Sequence, residues 1–227
     1  MLIQILPDEV ASQIAAGEVV ERPASVVKEL LENALDAEAS QVTVRVEGAG
    51  RKLIEVSDNG HGIAADQISL ALARHATSKL RSAEDLFHIQ TLGFRGEALA
   101  SIGSVSRLTL ISRSRGEEVG ARLLVEGGHM GGLDPLGAPA GTVVRVEDLF
   151  YNVPARLKFL KQDSTERQQI DALVPLLAGG DIGLPCLERH IGCGGLSADV
   201  HALLIEIERD PRRVTVAQRQ TGLGFGG

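Results

Sequence analysis

The chain has 227 residues, which is long enough for one substantial domain and the start of a second. Its hydrophobic content of 44% and charged content of 23% are ordinary for a soluble globular protein, and no run of about 18 apolar residues predicts a membrane span. A net charge of −7 argues against a uniformly basic nucleic-acid binder, and two cysteines give no disulfide framework. We therefore expect an intracellular protein, cytoplasmic or, in a eukaryote, nuclear, with no membrane partner.

Helical and strand patterns alternate along the first 178 residues. Apolar spacing predicts helices over residues 8–16, 24–36, 65–74, 83–88, 97–102, 155–161 and 163–177. Period-two alternation predicts strands over residues 41–47, 53–56, 105–113, 119–126 and 142–147. Gly48-Ala49-Gly50 joins the first two strands in a predicted β-hairpin, whereas the stretch from Gly127 to Gly141, rich in glycine and proline, is predicted to be a loop.

This order of elements predicts the fold class. Helices followed by a mostly antiparallel sheet with helical interruptions are typical of an α+β protein. We expect residues 1–178 to form a two-layer α/β sandwich, with helices on one face of a mostly antiparallel, mixed sheet. From about Gly179 the pattern is lost, apart from one strand predicted at 200–208, so 179–227 is predicted to be a tail of unknown fold.

The second predicted helix carries three polar residues on one stripe. Glu29, Asn33 and Asp36 recur at i, i+4 and i+7 beside the apolar half of the helix. A carboxylate can act as a general base toward water, and an asparagine oxygen one turn away can coordinate Mg²⁺ without adding charge. Taken alone, such a stripe is more typical of a solvated helix face.

A glycine-rich segment, residues 58–63, follows the strand at 53–56. Gly60 and Gly62 remove side chains where a flat ligand can lie against the backbone. Asp58 would offer an ionised acceptor to an exocyclic amine such as that of adenine. Because Asp-Asn-Gly is also ordinary turn chemistry, a surface turn remains the alternative.

Two loops and one strand start are suited to a phosphorylated ligand. Gly93-Phe94-Arg95-Gly96 leads into the helix predicted from residue 97, so backbone N–H groups can face an anion. Thr77-Ser78-Lys79 adds two hydroxyls and an ammonium, although the pattern is not that of a P-loop. Gly141-Thr142 places a hydroxyl at the start of a strand, and a plain loop-to-helix junction is the alternative for the residues around Gly93.

The four segments, in this order, resemble the motifs of the gyrase-type (GHKL) ATP-binding superfamily, whose members have the Bergerat fold. Three further stretches, residues 14–23, 93–102 and 148–156, are similar to DNA mismatch-repair proteins of the MutL family. The similarity is nearly continuous from residue 2 to about residue 173, which is too long for a coincidence of motifs.

The resemblance implies a role for each matching residue. Glu29 would deprotonate the attacking water as the catalytic base, Asn33 would hold Mg²⁺, and Asp58 would bind the adenine amine. Gly60 and Gly62 would let the adenine ring approach, and Thr142 would add a water-mediated contact. Further ATP contacts would come from Asp36, Ala37 and Ile63 and, in a lid around the phosphates, from Thr77, Ser78, Lys79, Gly93, Phe94, Arg95 and Gly96.

The resemblance also implies cofactors and partners. ATP with Mg²⁺ would close the lid and pair two N-terminal domains in a homodimer until hydrolysis releases them. The implied partners are a MutS-like mismatch-recognition protein and a downstream repair nuclease or helicase. Lys28, Lys158 and Lys161 are candidates for a weak DNA contact, although a solvated surface is the simpler interpretation.

The similarity ends near Pro175. Members of the family continue into a second domain, which supplies a lysine to the γ-phosphate, and then into a C-terminal dimerisation domain, whereas residues 179–227 resemble neither. A nucleotide-binding switch without useful hydrolysis, or a non-functional fragment, is therefore the alternative to an active ATPase. The tail contains four residues of zinc-ligand type, but their spacing fits no standard finger and chance placement explains them: Cys186, His190, Cys193 and His201.

Overall fold

The computed structural model describes residues 4–73, 76, 96–178, 187–191 and 200–207. Its helices are α1 (Asp8–Val19), α2 (Pro23–Asp36), α3 (Ile68–Ala71), α4 (Ala98–Ser104), α5 (Pro154–Phe159) and α6 (Asp163–Ala178). Its strands are β1 (Gln41–Glu47), β2 (Leu53–Asp58), β3 (Arg107–Arg113), β4 (Gly120–Glu126), β5 (His129–Leu136), β6 (Gly141–Glu147), β7 (Leu187–Ile191) and β8 (Val200–Ile207). Short 3₁₀ turns cover Gly48–Gly50 and Ala65–Gln67.

The described strands form one sheet in the order β5-β4-β3-β6-β2-β1-β8-β7, and every junction between them is antiparallel. The register aligns a row of apolar side chains across five neighbouring strands: Val44, Val56, Val144, Leu110 and Leu123. Polar side chains alternate with this row on the other face, where Arg145 pairs with Glu55 at 3.6 Å. One face of the sheet is therefore built for packing and the other for water.

The helices cover the apolar face. Helix α2 packs on β1 and β2 through buried side chains such as Val27, Leu30 and Leu31, while α4 packs on β3 and β4. Helix α1 lies against α4, and α6 lies against α2 and the turn after β1. The predicted two-layer α+β sandwich is confirmed, and its pairing is more uniform than the mixed sheet that we expected.

One predicted loop contains a strand. Residues 127–141 were expected to be irregular, yet β5 pairs with β4 along most of its length. Gly127 (φ +57°) and Gly128 (φ +92°) form the two-residue turn between them, a conformation that suits a hairpin. Among the described strands β5 is an edge, with seven of its eight residues exposed, so its sequence needs no apolar alternation and tolerates a proline.

The N-terminal helix presents its apolar stripe to solvent. The stripe predicted from the sequence consists of Val10, Ile14 and Ala15, and all three are exposed, Val10 by 39% and Ile14 by 59%. Leu6, which precedes the helix, is also 51% exposed. We call Val10, Ile14 and Ala15 the α1 stripe. Exposed apolar side chains at helical spacing are typical of a surface that another molecule covers.

The C-terminal end of α1 is held by Arg156 of α5. One guanidinium nitrogen of Arg156 donates hydrogen bonds to the carbonyls of Gly17 at 3.1 Å and Val20 at 2.6 Å. The guanidinium also lies 5.7 Å from the centroid of the Phe150 ring. Residues 14–23 and 148–156, which resemble the family separately, therefore contact each other and fix the start of α2.

Part of the tail joins the sheet. Strand β8, predicted at 200–208, pairs with β1, and β7, which was not predicted, pairs with β8. Residues 179–186, where the predicted domain boundary falls, lie outside the described part of the chain, so the boundary stays a prediction. The predicted helix at 83–88 also lies outside it. No helix among the described residues has the length and apolarity needed to cross a membrane.

Candidate functional site

The candidate site lies at one end of the sheet, where β2 ends and β6 begins. Asp58 pairs in register with Thr142, and Thr142 pairs on its other side with Ser112 of β3. The last turn of α2 reaches the same end, because the carbonyl of Ala37 accepts a hydrogen bond from the backbone N–H of His61 at 2.8 Å. The structure thus brings together three predicted segments that are distant in sequence.

The segment after β2 is held in place by its own side chains. The carboxylate of Asp58 accepts the backbone N–H of Gly60 at 2.7 Å, as in an Asx turn. The side-chain oxygen of Asn59 accepts the backbone N–H groups of Ser40 at 2.8 Å and Gln41 at 2.9 Å, which ties the turn to the start of β1. This anchoring role of Asn59 is not predictable from local sequence patterns, because it depends on β1 and β2 being neighbours.

The two glycines of this segment pack against protein backbone. A Cβ atom at Gly60 would lie 2.6 Å from the carbonyl oxygen of Ala37, and one at Gly62 would lie 2.0 Å from the carbonyl oxygen of Arg113. Gly62 also has φ +71°, a conformation that other residues rarely adopt. The fold itself therefore requires both glycines, and their predicted role toward an adenine ring stays a prediction.

Asp58 is a carboxylate in a largely buried position. Burial raises its pKa above the ordinary value of 3.8, while hydrogen bonds from the backbone of Gly60 and Thr142 and the charge of His61 act in the opposite direction. The hydrogen bonds to the ionised carboxylate of Asp58 therefore do not fully compensate for its removal from water. An added hydrogen-bond donor at this carboxylate would lower the free energy of the ionised form.

Ser112 was not predicted as a site residue. It is 1% exposed, and its hydroxyl oxygen accepts the backbone N–H of Ile63 at 2.8 Å. It also lies 2.9 Å from the carbonyl of Gly141 and 2.9 Å from the hydroxyl of Thr142. In the sequence, Ser112 occupies the third inward position of β3, after Leu108 and Leu110. A serine at such a buried position needs hydrogen-bond partners, and this requirement could have indicated its role.

The polar stripe of α2 is present and partly exposed. The Glu29 side chain is 19% exposed, Asn33 is half-buried, and Asp36 at the end of the helix is exposed. Lys28 Nζ lies 3.9 Å from Glu29 Oε1 but only 2.7 Å from Oε1 of Glu32, which is 3% exposed. The lysine charge is therefore directed mainly toward Glu32, a buried acid that was not among the predicted site residues.

The predicted phosphate lid can be located only in part. Gly96 is described, with φ +61°, and it precedes Glu97, the N-cap residue of α4. The other lid residues lie outside the described part of the chain: Thr77, Ser78, Lys79, Gly93, Phe94 and Arg95. Among the described residues, no three metal-ligand side chains cluster, and Cys186 and Cys193 are not described.

An open cleft of about 460 Å³ lies at the opposite end of the sheet, beside the turn after β1. Its wall includes Arg51, Asp163 and Asp148, and these charges are already paired, Arg51 with Asp163 and Asp148 with Arg107. Neither Asp58 nor the stripe of α2 lines this cleft. The residues predicted to bind a nucleotide are therefore separate from this cleft, and their predicted roles stay predictions.

Comparison with known proteins agrees with the fold and with the predicted family. A family model described as "Histidine kinase-, DNA gyrase B-, and HSP90-like ATPase" matches residues 21–127. The DNA mismatch repair protein MutL of Acidobacterium capsulatum is 60% identical over 172 residues, which are 76% of this chain and 26% of that protein. The MutL protein of Symbiobacterium thermophilum is 57% identical over 210 residues, 89% of this chain and 33% of that protein. Residues 1–178 make up less than four fifths of the chain, so an alignment that covers 89% of it must include part of the tail, residues 179–227.

Solved structures show the same relationship. The Aquifex aeolicus MutL ATPase domain complexed with ADP is similar at a TM-score of 0.55 and 36% identity, over 75% of this chain and 60% of that chain. The N-terminal domain of a DNA repair protein is similar at a TM-score of 0.62 and 30% identity, over 74% of this chain and 48% of that chain. The chain spans about a quarter to a third of the curated relatives described above. The chain belongs to the MutL family of DNA mismatch-repair proteins and carries the N-terminal gyrase-type ATPase domain of that family.

Proposed function

We propose that this chain binds Mg²⁺-ATP where Asp58 and Thr142 meet, and that it acts as the ATPase module of a mismatch-repair protein. The observation that carries the proposal is the pairing of Asp58 with Thr142 beside the last turn of α2. Family membership and the solved complex of the Aquifex aeolicus domain with ADP support it.

Asp58 is suited to bind the exocyclic amine of adenine. Its carboxylate is largely removed from water, and its hydrogen bonds from Gly60 and Thr142 do not fully offset that loss, since its pKa is raised. An amine donor would complete its partners without adding charge to the site. The glycine segment that carries Asp58 is fixed to α2, β1 and β3, so the carboxylate is held in place before the ligand arrives.

Glu29 and Asn33 are suited to the phosphate end of the nucleotide. They lie one turn apart on the partly exposed stripe of α2, and an asparagine oxygen is a neutral ligand of the kind that Mg²⁺ accepts. Bound Mg²⁺ would supply charge neutralisation at the phosphate oxygens. Glu29 is the proposed general base, and Glu32 favours this role because it draws the Lys28 ammonium toward itself.

The first test is the stabilisation of the protein by ATP. At an ATP concentration about 100 times the dissociation constant, binding stabilises the fold by about 2.7 kcal/mol. For a protein of this size, that raises the melting temperature by about 5–10 °C. Asp58→Asn is expected to reduce the shift to about half or less, because a hydrogen bond to a charged group contributes about 1.5–3 kcal/mol. Scanning calorimetry with Mg²⁺-ATP measures both proteins, and an unchanged shift in Asp58→Asn would exclude Asp58 as an adenine ligand.

The pH dependence of the same variant supplies the control. A raised carboxyl pKa means that the stability contributed by Asp58 is present below pH 3.8 and is lost as the pH rises through its folded pKa. Without nucleotide, Asp58→Asn should therefore gain in melting temperature relative to the wild type between about pH 3.8 and 7. A variant that instead loses stability over this range would show that it is damaged for another reason.

We further propose that ATP pairs two copies of the chain through the α1 stripe. Val10, Ile14 and Ala15 form an exposed apolar stripe on α1, and α1 lies directly against α4, which follows the proposed lid. Closing the lid would thus act on the helix that carries the stripe. The proposed partners of the dimer are a MutS-like protein and a downstream nuclease or helicase.

Light scattering with Mg²⁺-ATP tests the dimer. The wild type is expected to double its mass, and Ile14→Asp to remain a monomer, since a charge on the stripe would have to be buried. Val119→Asp, the same kind of change at a position that is 53% exposed outside the stripe, is the matched control and should still form a dimer. ATP-dependent doubling in Ile14→Asp would show that the interface lies elsewhere.

Direct DNA contact is proposed for α5 and the residues after it. Lys158 and Lys161 are exposed and flank Phe159, which is 86% exposed. Lys28 is not proposed to contact DNA, because it forms an ion pair with Glu32 on α2. Two lysines provide a contact whose strength falls with salt, and it does not by itself select a sequence.

A further inference from the structure

The hydroxyl of Ser112 joins three parts of the candidate site. It is fully buried at the end of β3, and it touches the backbone N–H of Ile63 at 2.8 Å, the carbonyl of Gly141 at 2.9 Å and the hydroxyl of Thr142 at 2.9 Å. A serine hydroxyl has one proton to donate and two lone pairs to accept. These three contacts therefore use its whole hydrogen-bonding capacity.

The direction of each hydrogen bond follows from what its partners can do. The Ile63 amide can only donate, so it occupies one lone pair of Ser112, and the Gly141 carbonyl can only accept, so it takes the Ser112 proton. The second lone pair of Ser112 then faces Thr142, whose hydroxyl has to donate its only proton there. Toward any ligand, Thr142 has only lone pairs left and acts as an acceptor.

We infer that Ser112, acting through Thr142, makes this site selective for purine nucleotides with an amino group at C6 and an unprotonated N1. This inference rests on the proposed ATP site and adds its specificity. Asp58 and Thr142 are then both hydrogen-bond acceptors at the same end of the sheet. The group of the purine that faces Asp58 must therefore be a hydrogen-bond donor, as the amino group at C6 is. Ser112 is a positioning residue: it sets the proton of Thr142 and does not itself reach the nucleotide.

A water that bridges Thr142 to the base would transmit the same preference. A water bound to Thr142 has to donate one proton to its hydroxyl oxygen and has a second proton for the neighbouring ring nitrogen. N1 of adenine accepts that proton, whereas N1 of a 6-oxopurine such as hypoxanthine carries a hydrogen. The 6-oxo group would also turn lone pairs toward the Asp58 carboxylate, and a buried acceptor facing another acceptor leaves both without partners.

The test compares ATP with ITP, whose base is hypoxanthine. Isothermal titration calorimetry with Mg²⁺ gives the ratio of the two dissociation constants for each protein. We expect the wild type to prefer ATP, and Ser112→Ala to lower the ATP:ITP ratio about three- to tenfold, since one neutral hydrogen bond changes partners. Releasing the Thr142 proton lets that hydroxyl donate as well as accept, so ITP should gain relative to ATP.

The readout separates a positioning role from a merely structural one. General loosening of the site would weaken both nucleotides and leave their ratio unchanged. In a Thr142→Val background, Ser112→Ala should have no further effect on the ratio, because the group through which it acts is gone. Ser112→Cys keeps the volume with a weaker hydrogen-bonding group, and it should lower the ratio in the same direction if Ser112→Ala does not fold.

Each outcome has a separate meaning. If the wild type binds neither nucleotide, the proposed function fails together with this inference. If the wild type binds ATP selectively and folded Ser112→Ala or Ser112→Cys keeps the same ratio, only the inference is overturned. A fall in the ratio that persists in the Thr142→Val background also overturns it, because Ser112 would then act by another route.

Discussion

Replacing Glu29 by alanine is expected to lower the rate of ATP hydrolysis by about 10²–10⁴-fold, the usual loss on removing a general base. ATP binding should remain within a few-fold of the wild type, because the proposed adenine contacts lie at Asp58 and Thr142 and not on α2. Glu29 is 19% exposed, so water can reach its carboxylate while most of the side chain is held by the helix surface. The expected signature is therefore a lower kcat with little change in the ATP-induced melting shift.

Two controls distinguish this result from contamination or misfolding. Glu29→Gln keeps the shape of the side chain but not its basicity, and it should lose activity to a similar extent. Glu118→Ala, at an exposed position before β4, removes a carboxylate of the same kind and should hydrolyse ATP at the wild-type rate. Equal, non-zero rates in wild type and Glu29→Ala would remove Glu29 as the base. A wild type that binds ATP without measurable hydrolysis would favour a nucleotide-binding switch.

Much of the fold could be predicted because its elements are amphipathic. The apolar positions of α2 and the alternation in β1 and β2 record which side of each element is buried. The observed bounds of these three elements differ from the predicted ones by at most two residues. β5 could not be predicted in this way, because an exposed edge strand buries no side chain and leaves no periodic pattern. Its hairpin turn at Gly127-Gly128 falls within the stretch that the glycine and proline content predicts to be a longer loop.

The candidate site was predicted less completely than the fold. The sequence indicated Asp58 and Thr142 as separate polar residues next to glycines, but their contact depends on β6 lying beside β2. Ser112 belongs to the same site only because β3 is the next strand in the sheet. Strand order arises from long-range packing, which spacing along the chain does not encode. Hydrogen-bond networks that cross several strands are therefore the part of a site that local sequence patterns leave out.

The glycines illustrate how one residue can satisfy two explanations. Gly62 was interpreted as giving room to an adenine ring, yet a Cβ atom there would lie 2.0 Å from the carbonyl oxygen of Arg113. That contact is between the glycine segment and β3, and it exists without any ligand. The two explanations predict different results when the glycine is replaced, because only the packing explanation makes the nucleotide-free protein unstable.

Gly62→Ala is expected to destabilise the nucleotide-free protein by about 2–5 kcal/mol. About 1–2 kcal/mol comes from the left-handed conformation at φ +71°, and about 1–3 kcal/mol comes from the displaced backbone of β3. Gly116→Ala is the matched control, since a Cβ atom there would meet nothing within 4 Å, and it should change stability by no more than about 1 kcal/mol. Denaturant unfolding without nucleotide measures both. If Gly62→Ala unfolds like the wild type but no longer responds to ATP, the glycine serves only to let the ligand approach. If instead Gly62→Ala loses stability and Gly116→Ala does not, the fold itself fixes the segment that carries Asp58. The proposed adenine contact would then be in place before ATP binds.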